Sequence, residues 1–575
     1  MDQAIVDQAM VSHGGNLVVG VLWHRAATNP GQLAIIENQR GRWIPMTVRQ
    51  LADRVAGLAL ALSARGVRAG SCVAVLVANR SDWLVVDLAV QAVGAVSAAV
   101  PPSDDDEHLA GLLEQLGAGS VVVDDPIAVQ RLDGLSDAGR LDRIGLVVQL
   151  GARDDRAEGV DDLVSDGEGL LRSQPTVFAE MLAQRQADEA ATITYSSGSA
   201  GVPRPVGHDA GAVHAGARQV AAARGLVADD VAVVALDPSH PFERSLTLYP
   251  ALVSGAVLAY PESASTVDRA ILEVQPTFAH LPIELVRQAT ATIRSRLHRN
   301  RGVKRLVARW WERAANQAVR AGREPSRRAV RFVGTPALRT VGWDRLGSLV
   351  VTCVAVPVEI AGTLAALGRV VDSGYGVVET GLVGIGRGGS FTPLAGTTVS
   401  TTDGVLTVAG PALARPSDAA VLTNDLGRVE DGRFVVTGPA ASTLTLADGT
   451  SVVAASIEGR LRESPYVALA VVSAPDGAPH AALEIDRIAV GDWAAARNLS
   501  YTTLTTLVAL PEVRTLIADE VARLATEVAT HDLLQRPLQQ GRDITRTRTT
   551  VHGRLHPVGA HEAPSPRAEQ PSAVE

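Results

Sequence analysis

Between Thr47 and Val123 the chain alternates between two hydrophobic rhythms, and this constrains its fold more than any other feature. Thr47–Gln50 (TVRQ) is a capping-box pattern, with Thr47 as N-cap and Gln50 at the third helical position. Val48, Leu51, Val55, Leu58 and Leu62 follow at helical spacing, and Gly66 marks a stop. Val73–Ala78 (VAVLVA) is a short continuous apolar run, the pattern of a buried strand. The pattern then predicts a helix over Ser81–Val93, a strand near Ala95–Val100, and further strands near Val121 and Val231. Short apolar strands alternating with helices predict an α/β domain with largely parallel sheets.

The window Trp83–Val100 is the most apolar in the chain. Asp87 and Gln91 interrupt it and Gly94 sits inside it, so a buried helix followed by a strand is preferred over a membrane span. Past Pro393 the texture changes to short β runs and turns, DGVLTVAG, DGRFVVTG and STLTLADGT. This predicts a β-rich subdomain leading into a smaller α+β unit, with helices over Ser456–Ser464 and Leu516–Ala529. From about Pro557 the chain is rich in Pro, Ala and Glu and is expected to be disordered.

With 575 residues and 46% hydrophobic content, the chain can bury the cores of two or more domains. A formal net charge of −9 gives no reason to expect nucleic-acid binding. The two cysteines, Cys72 and Cys353, argue against a disulfide framework or a cysteine zinc site and fit a reducing cytoplasm. The acidic N-terminus has no basic n-region and does not read as a secretory signal.

One lysine, Lys304, is present among the basic residues. It lies in the segment Arg287–Arg331, which holds fourteen Lys and Arg against Glu312 and Glu324, with Trp310–Trp311 inside. The segment reads either as a basic amphipathic surface making peripheral contact with anionic lipid, or as a solvated helical region whose indoles pack inward. The second reading is preferred. Oligomeric state leaves no signal in the sequence.

Thr194–Pro205 reads TYSSGSAGVPRP. A Ser/Gly run of this kind either cradles phosphates or is an ordinary turn. It does not match the G-x-x-x-x-G-K-[ST] phosphate loop, because it has no Gly-Lys pair. It does resemble the Y-T-S-G-T-T-G-x-P-K-G signature of AMP-forming adenylating enzymes. Leu236–Ser263 resembles the long-chain acyl-CoA synthetase pattern L-P-L-x-H-x-F-E-R followed by G-A-x-x-x-Y-x-E-S. GYGVVETG (Gly374–Gly381) resembles G-Y-G-x-T-E-T, and Thr423–Gly438 resembles T-G-D-x-G-x-x-x-x-D-G-x-x-x-x-x-G-R. The four stretches fall in the family's order, and the likeness runs from about Val18 to about His556.

The resemblance implies a large N-terminal α/β domain of stacked sheets and helices with a β-rich subdomain (1–437), a small mobile α+β C-terminal domain (438–556) and a tail (557–575). It implies ATP with Mg²⁺ joining a fatty carboxylate into an acyl-adenylate, then attack by the CoA thiol to give acyl-CoA and AMP. It places nucleotide binding on Ser196, Ser197, Gly198, Ser199, Gly201, Arg204, Tyr375, Gly376 and Asp425, with Tyr375 flanking adenine and Asp425 accepting from the ribose hydroxyls. Glu379 is the implied Mg²⁺ ligand. His240, beside the substrate carboxylate, joins Glu379 and Arg204 as catalytic candidates.

The departures are equally specific. Arg204 stands where the family has Lys, Pro205 replaces a Gly and Ala200 a hydroxyl residue. Val378 replaces the Thr that contacts the α-phosphate, Asn424 replaces a Gly, and Pro439 replaces an Arg. The family's G-G-K appears as Asp448–Thr450. The region matching the C-terminal adenylation lysine, Asp543–Pro557, contains only Arg546, Arg548 and Arg554 as basic candidates besides its histidines. Losing one preorganised cationic contact at such a transition state costs roughly 3–4 kcal/mol, or about 10²–10³ in rate. Three readings follow: a ligase in which Arg serves for Lys; a non-catalytic paralogue that binds nucleotide or acyl chains or partners an active synthetase; and adenylate formation without CoA.

Overall fold

The computed structural model describes residues 17–101, 105–141, 143–150, 156–196, 203–299, 330–352, 356–414, 420–447, 449, 451–462, 464–477, 479–530 and 548–552. These divide into two compact units. The first runs to Ser196 and includes Pro203–Thr423 and Gly427–Val436; the second includes Asn424–Leu426 and the chain from Thr437.

In the first unit, β1 (Leu33–Gln39) and β2 (Arg42–Thr47) form an antiparallel hairpin. The next seven strands are β3 (Cys72–Leu76), β4 (Val96–Ala99), β5 (Ser120–Val123), β6 (Leu146–Gln149), β7 (Glu158–Gly159), β8 (Ala190–Ser196) and β9 (Arg204–Asp209). They make one sheet in the order β7-β6-β5-β3-β4-β8-β9, parallel except for the antiparallel pair β8–β9.

The remaining strands are β10 (Val231–Val233), β11 (Val257–Tyr260), β12 (Phe278–His280), β13 (Ser348–Thr352), β14 (Val371–Val377), β15 (Gly381–Arg387), β16 (Ser390–Pro393), β17 (Thr398–Thr402), β18 (Val405–Ala409), β19 (Val421–Glu430) and β20 (Arg433–Pro439). With β1 and β2 they form a thirteen-stranded sheet, β17-β18-β19-β20-β16-β15-β14-β13-β12-β10-β11-β1-β2. It is parallel from β1 through β14 and turns antiparallel at β15. The alternating rhythm of the sequence thus builds the parallel part of both sheets.

Side-chain alternation along the strands shows the layering. Val73 and Val75 of β3 and Val122 of β5 face the central core, as do Ala232, Leu258 and Tyr260 of the larger sheet. That core is filled by the helices Val18–Thr28, Val48–Ala64, Ser81–Val93 and Tyr249–Ser254. Ala74, Val121 and Val123 face the opposite side, under the helices Asp106–Leu116 and Pro126–Asp137. Val233, Ala259, Ala279, Leu349 and Val351 face the outer side of the larger sheet. Helix, sheet, helix, sheet and helix therefore succeed one another.

Local signals explain the ends of these elements. Thr47 Oγ1 accepts from the Gln50 N–H at 3.2 Å while Gln50 Oε1 accepts from the Thr47 N–H at 2.8 Å, the reciprocal cap expected. Trp83–Val100 is a buried helix followed by β4, and no helix among the described residues is long and apolar enough to cross a membrane. The apolar run Val231–Leu236 forms a strand only over Val231–Val233. Asp237 begins a turn in which its Oδ1 accepts from the Ser239 N–H at 2.8 Å, drawing the chain out of the sheet. Helices Val48–Ala64 and Val160–Ser173 cross at Gly57 and Gly167; a Cβ on Gly167 would run into the Gly57 backbone.

In the second unit, β21 (Thr443–Thr445) and β22 (Ser451–Val453) form a hairpin. β23 (Val467–Ser473), β24 (His480–Ile485) and β25 (Arg548–His552) form a three-stranded sheet, antiparallel then parallel. Helices Ala454–Leu461, Arg487–Ala495, Leu504–Ala509 and Pro511–Thr530 accompany it, and Ile457, Leu461, Leu483, Val490, Leu507, Val513 and Ile517 build its core. The helices expected over Ser456–Ser464 and Leu516–Ala529 are the first and last of these.

Candidate active site

The Ser/Gly stretch sits on the hairpin β8–β9. Ser196 and Arg204 are register partners at its end, and Ser196 Oγ donates to the Arg204 carbonyl at 3.4 Å. The residues joining them, Ser197, Gly198, Ser199 and Gly201 included, lie outside the described residues. Below the loop the stem is anchored: Tyr195 is buried and its hydroxyl donates to the Leu112 carbonyl at 2.9 Å. The half-buried Ser196 and the exposed Arg204 therefore stand on a fixed base.

Both β8 and β9 pack against the short 3₁₀ turn Val378–Thr380, which joins β14 to β15 and carries Glu379. Gly376 is needed there, because a Cβ would strike the Gly381 carbonyl. Thr380 Oγ1 accepts from the Val377 N–H at 3.2 Å, and the Glu379 carbonyl accepts from the Ala414 N–H at 2.9 Å, so the turn is held by the Thr380 hydroxyl and by the backbone of Ala414. The Glu379 carboxylate, half-buried, makes no hydrogen bond or ion pair with another described residue. Tyr375 is largely buried, its ring 5.7 Å from Phe391 and 5.5 Å from Phe434. An adenine ring against it would meet only the small exposed part of that ring.

The segment after β10 supplies the third component. His240 Nδ1 accepts from the Phe242 N–H at 3.3 Å, which leaves the other ring nitrogen as the proton carrier in the neutral form. Burial, with His280 nearby, pushes the His240 pKa down to about 4. Its ring centre is 5.7 Å from that of His280. His280, at the C-terminal end of β12, is fully buried with Glu243. Its Nδ1 lies 2.8 Å from Glu243 Oε2, and its Nε2 lies 3.0 Å from Oγ1 of Thr352 at the end of β13. The F-E-R residues are thus inward-facing. Phe242 enters a cluster with Val220, Leu246 and Leu382. The Arg244 guanidinium donates to the hydroxyls of Thr192 and Thr194 and, at 2.9 Å, to the Ile193 carbonyl. Arg244 therefore ties the F-E-R segment to the strand that carries the Ser/Gly loop.

A mostly apolar cleft opens between these parts. Its walls are the helix Ala210–Arg224 (Ala212, Val213, Gly216, Ala217, Val220), the F-E-R segment, and the turn after β14. Small residues on that helix make the space. At its polar side are Thr192, Thr194, Arg244, Tyr249 and His208. Tyr249 donates to Asp87 Oδ2 at 2.9 Å, and desolvation holds that buried carboxyl above its ordinary range.

The structure thus gathers Ser196, Arg204, Gly376 and Glu379 around one hairpin-and-turn junction in the first unit. Asp425 follows Asn424, whose φ of +62° is one that asparagine tolerates, and groups with the second unit. Arg546 and Arg554, Asp448 and Thr450, Lys304 and Trp310–Trp311, and the tail all lie outside the described residues. Sequence reasoning missed His208, His280 and Thr352. His208 lies three positions beyond the Ser/Gly motif; the other two carry no local signal, since only the strand order β12–β13 brings them together.

The layered α/β architecture matches that of adenylate-forming enzymes. The sequence model of the AMP-binding enzyme family matches residues 22–441, and the chain belongs to that family. Among characterised relatives, a long-chain-fatty-acid–CoA ligase of Mycobacterium bovis is 27% identical over 164 residues, 28% of this chain and 26% of the relative. A medium/long-chain-fatty-acid–CoA ligase of Mycobacterium tuberculosis is 28% identical over 196 residues, 34% of this chain and 32% of the relative. The matches thus span about a quarter to a third of those proteins. Among solved structures, an anthranilate CoA ligase in complex with anthranoyl-AMP superposes with a TM-score of 0.67 at 16% identity, covering 95% of each chain. A benzoate CoA ligase from Burkholderia xenovorans gives 0.65 at 16% identity, covering 94% of this chain and 97% of that one. These two likenesses establish the fold.

Proposed function

We propose that this chain binds ATP and a carboxylic acid and joins them into an acyl-adenylate, with CoA as the following acceptor. The observation that carries this reading is the junction of the β8–β9 stem with the Glu379 turn beside an apolar cleft. Adenylation brings two anions together, so the site must neutralise phosphate charge and hold the acid in line. Arg204 supplies a positive charge at the loop. Among the described residues no cluster of three or more His, Cys, Asp or Glu side chains could hold a metal on its own. A single carboxylate is nevertheless enough for Mg²⁺ that arrives on substrate phosphates, and Glu379 is that carboxylate. Bound there, Mg²⁺ would neutralise phosphate charge. The cleft takes the hydrocarbon of the acid and keeps water from it, and His240, neutral, offers an N–H donor. Fatty acids are the substrates named for the sequence relatives above, and aromatic acids those named for the structural ones.

The absence of any lysine besides Lys304 supports a second reading, a non-catalytic paralogue that retains nucleotide or acyl binding. One assay separates the two. Purified protein is incubated with ATP, Mg²⁺ and a panel of fatty and aromatic acids, with and without CoA, and the products are analysed by mass spectrometry. Acyl-CoA or acyl-AMP at catalytic turnover supports the ligase. Binding of ATP or acid with no adenylate from any acid overturns it in favour of the paralogue.

A further inference from the structure

Glu243, His280 and Thr352 form one connected chain of polar side chains that adenylation as proposed above does not use. Glu243 and His280 are fully buried, and Thr352, at the C-terminal end of β13, is half-buried. His280 Nδ1 lies 2.8 Å from Glu243 Oε2, and His280 Nε2 lies 3.0 Å from Thr352 Oγ1. An ionised carboxylate only accepts hydrogen bonds, so in the neutral ring Nδ1 carries the proton and donates to Glu243. Nε2 is then the acceptor, and the Thr352 hydroxyl donates to it. A hydroxyl bonded to a basic ring nitrogen, on a ring oriented by a buried acid, is the arrangement that activates a nucleophile. The other Glu243 oxygen, Oε1, is buried with no hydrogen-bond partner among the described residues. Stability alone does not account for it, because an unsatisfied buried acceptor is destabilising.

The position in the fold suits that use. β12 and β13 are neighbouring parallel strands, and His280 and Thr352 stand at their carboxyl ends, where parallel sheets bind their ligands. A Cβ on Gly374 would lie 3.0 Å from Leu382 Cδ1 and 3.2 Å from Thr352 Cγ2, so these two side chains adjoin there. Leu382 lines the apolar cleft, as does Phe242, the neighbour of Glu243. The hydroxyl thus stands beside the space assigned above to the acyl chain. We propose that Thr352 is a nucleophile that takes the acyl group from activated acyl esters, the acyl-adenylate among them, and that the chain hydrolyses these esters. As Thr352 Oγ1 bonds to the acyl carbon, its proton passes to His280 Nε2. The bond from that carbon to the leaving oxygen breaks, and the proton departs with the leaving group or to solvent. Water then attacks the acyl-threonine and gives a proton to His280, which returns it to Thr352 Oγ1 as the acid leaves. The net change is ester and water to acid and leaving group. Glu243 acts as a positioning residue through His280. The acyl-adenylate as donor rests on the function proposed above, whereas the nucleophile does not.

The test uses p-nitrophenyl octanoate without ATP, so it does not depend on adenylation. The full-length protein is mixed with the ester and release of p-nitrophenolate is followed by absorbance. Quenched protein is then digested, and its peptides are searched for an octanoyl group by mass spectrometry. Ester turnover above that of buffer is expected, with octanoyl-Thr352 among the peptides. Thr352→Val, which keeps the shape, should lower the turnover by about a hundredfold or more, the low end of what an activating general base contributes. Thr352→Ser, which keeps the hydroxyl, should retain it. Turnover no higher than buffer, turnover equal in wild type and Thr352→Val, or an octanoyl group found only on other residues overturns the proposal. If Thr352→Val fails to fold, the wild-type peptide and Thr352→Ser still decide. Ester turnover through Thr352 in a protein that forms no adenylate leaves this proposal standing and removes only the ligase. Adenylate formed by a protein that leaves the ester intact does the reverse.

Discussion

Glu243 and His280 are 37 residues apart in the chain and meet at 2.8 Å, with neither side chain exposed to solvent. Removing one partner of such a buried pair strands the other, a loss of about 3–5 kcal/mol. Glu243→Ala should therefore lower the urea midpoint strongly, whereas replacing both residues by leucine should recover much of the loss. A single variant within about 1 kcal/mol of wild type would show that the pair contributes little.

Two histidines impose a pH dependence. His208 and His240 are both held at about 4, against an ordinary value of 6.5. Between these values the unfolded chain binds the protons and the folded chain does not, so stability is present above about pH 6.5 and is lost as pH falls toward 4. At about 1.4 kcal/mol per pH unit this approaches roughly 3 kcal/mol for each residue. Replacing either by Leu should flatten the stability profile between pH 6.5 and 4, measured by chemical denaturation in a pH series. An unchanged slope would refute the assignment.

Lysine restoration tests whether the missing C-terminal lysine limits adenylation. β25 places Arg548 opposite His480 in the C-terminal sheet. Arg548→Lys and Arg546→Lys are expected to raise the adenylation rate, one of them by about 10²-fold, the size of a single preorganised cationic contact. Pyrophosphate release with a responsive acid reads this out. No gain from either variant would show that the lysine is not limiting, with Val378 and Pro439 the next positions to test.

Glu379→Gln should weaken binding of ATP in the presence of Mg²⁺ by about tenfold or more, as expected when a charged partner is removed. Binding without Mg²⁺ should change little. Titration with and without the ion reads both quantities. An equal loss in the two conditions would argue against Glu379 as the Mg²⁺ ligand.

Gly167→Ala forces a methyl group against the Gly57 backbone where two helices cross. Overpacking of this kind costs typically about 1–3 kcal/mol. A lowered melting temperature with unchanged ATP binding is the expected result, since neither glycine lines the cleft.

The layered fold was legible because its signals are local. The Thr47–Gln50 cap, the apolar run Val73–Ala78 and the helix Ser81–Val93 each reside in a few adjacent residues. The site was legible only as motifs. Sequence order shows that Phe242, Glu243 and Arg244 belong together but not that all three point inward, because inward placement follows from the order β10–β12–β13 in the sheet. His208 was illegible for a similar reason. It lines the cleft together with Val378, 170 positions later, and only the packing of the β8–β9 hairpin on the turn after β14 brings the two together.

The Arg244 guanidinium grips β8 through two threonine hydroxyls and a carbonyl, and so works as a rivet in the scaffold. A descendant that abandoned adenylation would still need that rivet to fold, and selection for foldability alone would preserve the F-E-R signature. Drift after a loss of chemistry would accumulate first at positions with no scaffolding duty. In lineages of this kind, an intact motif is thus a record of architectural necessity, and the history of the reaction is written in the residues around it.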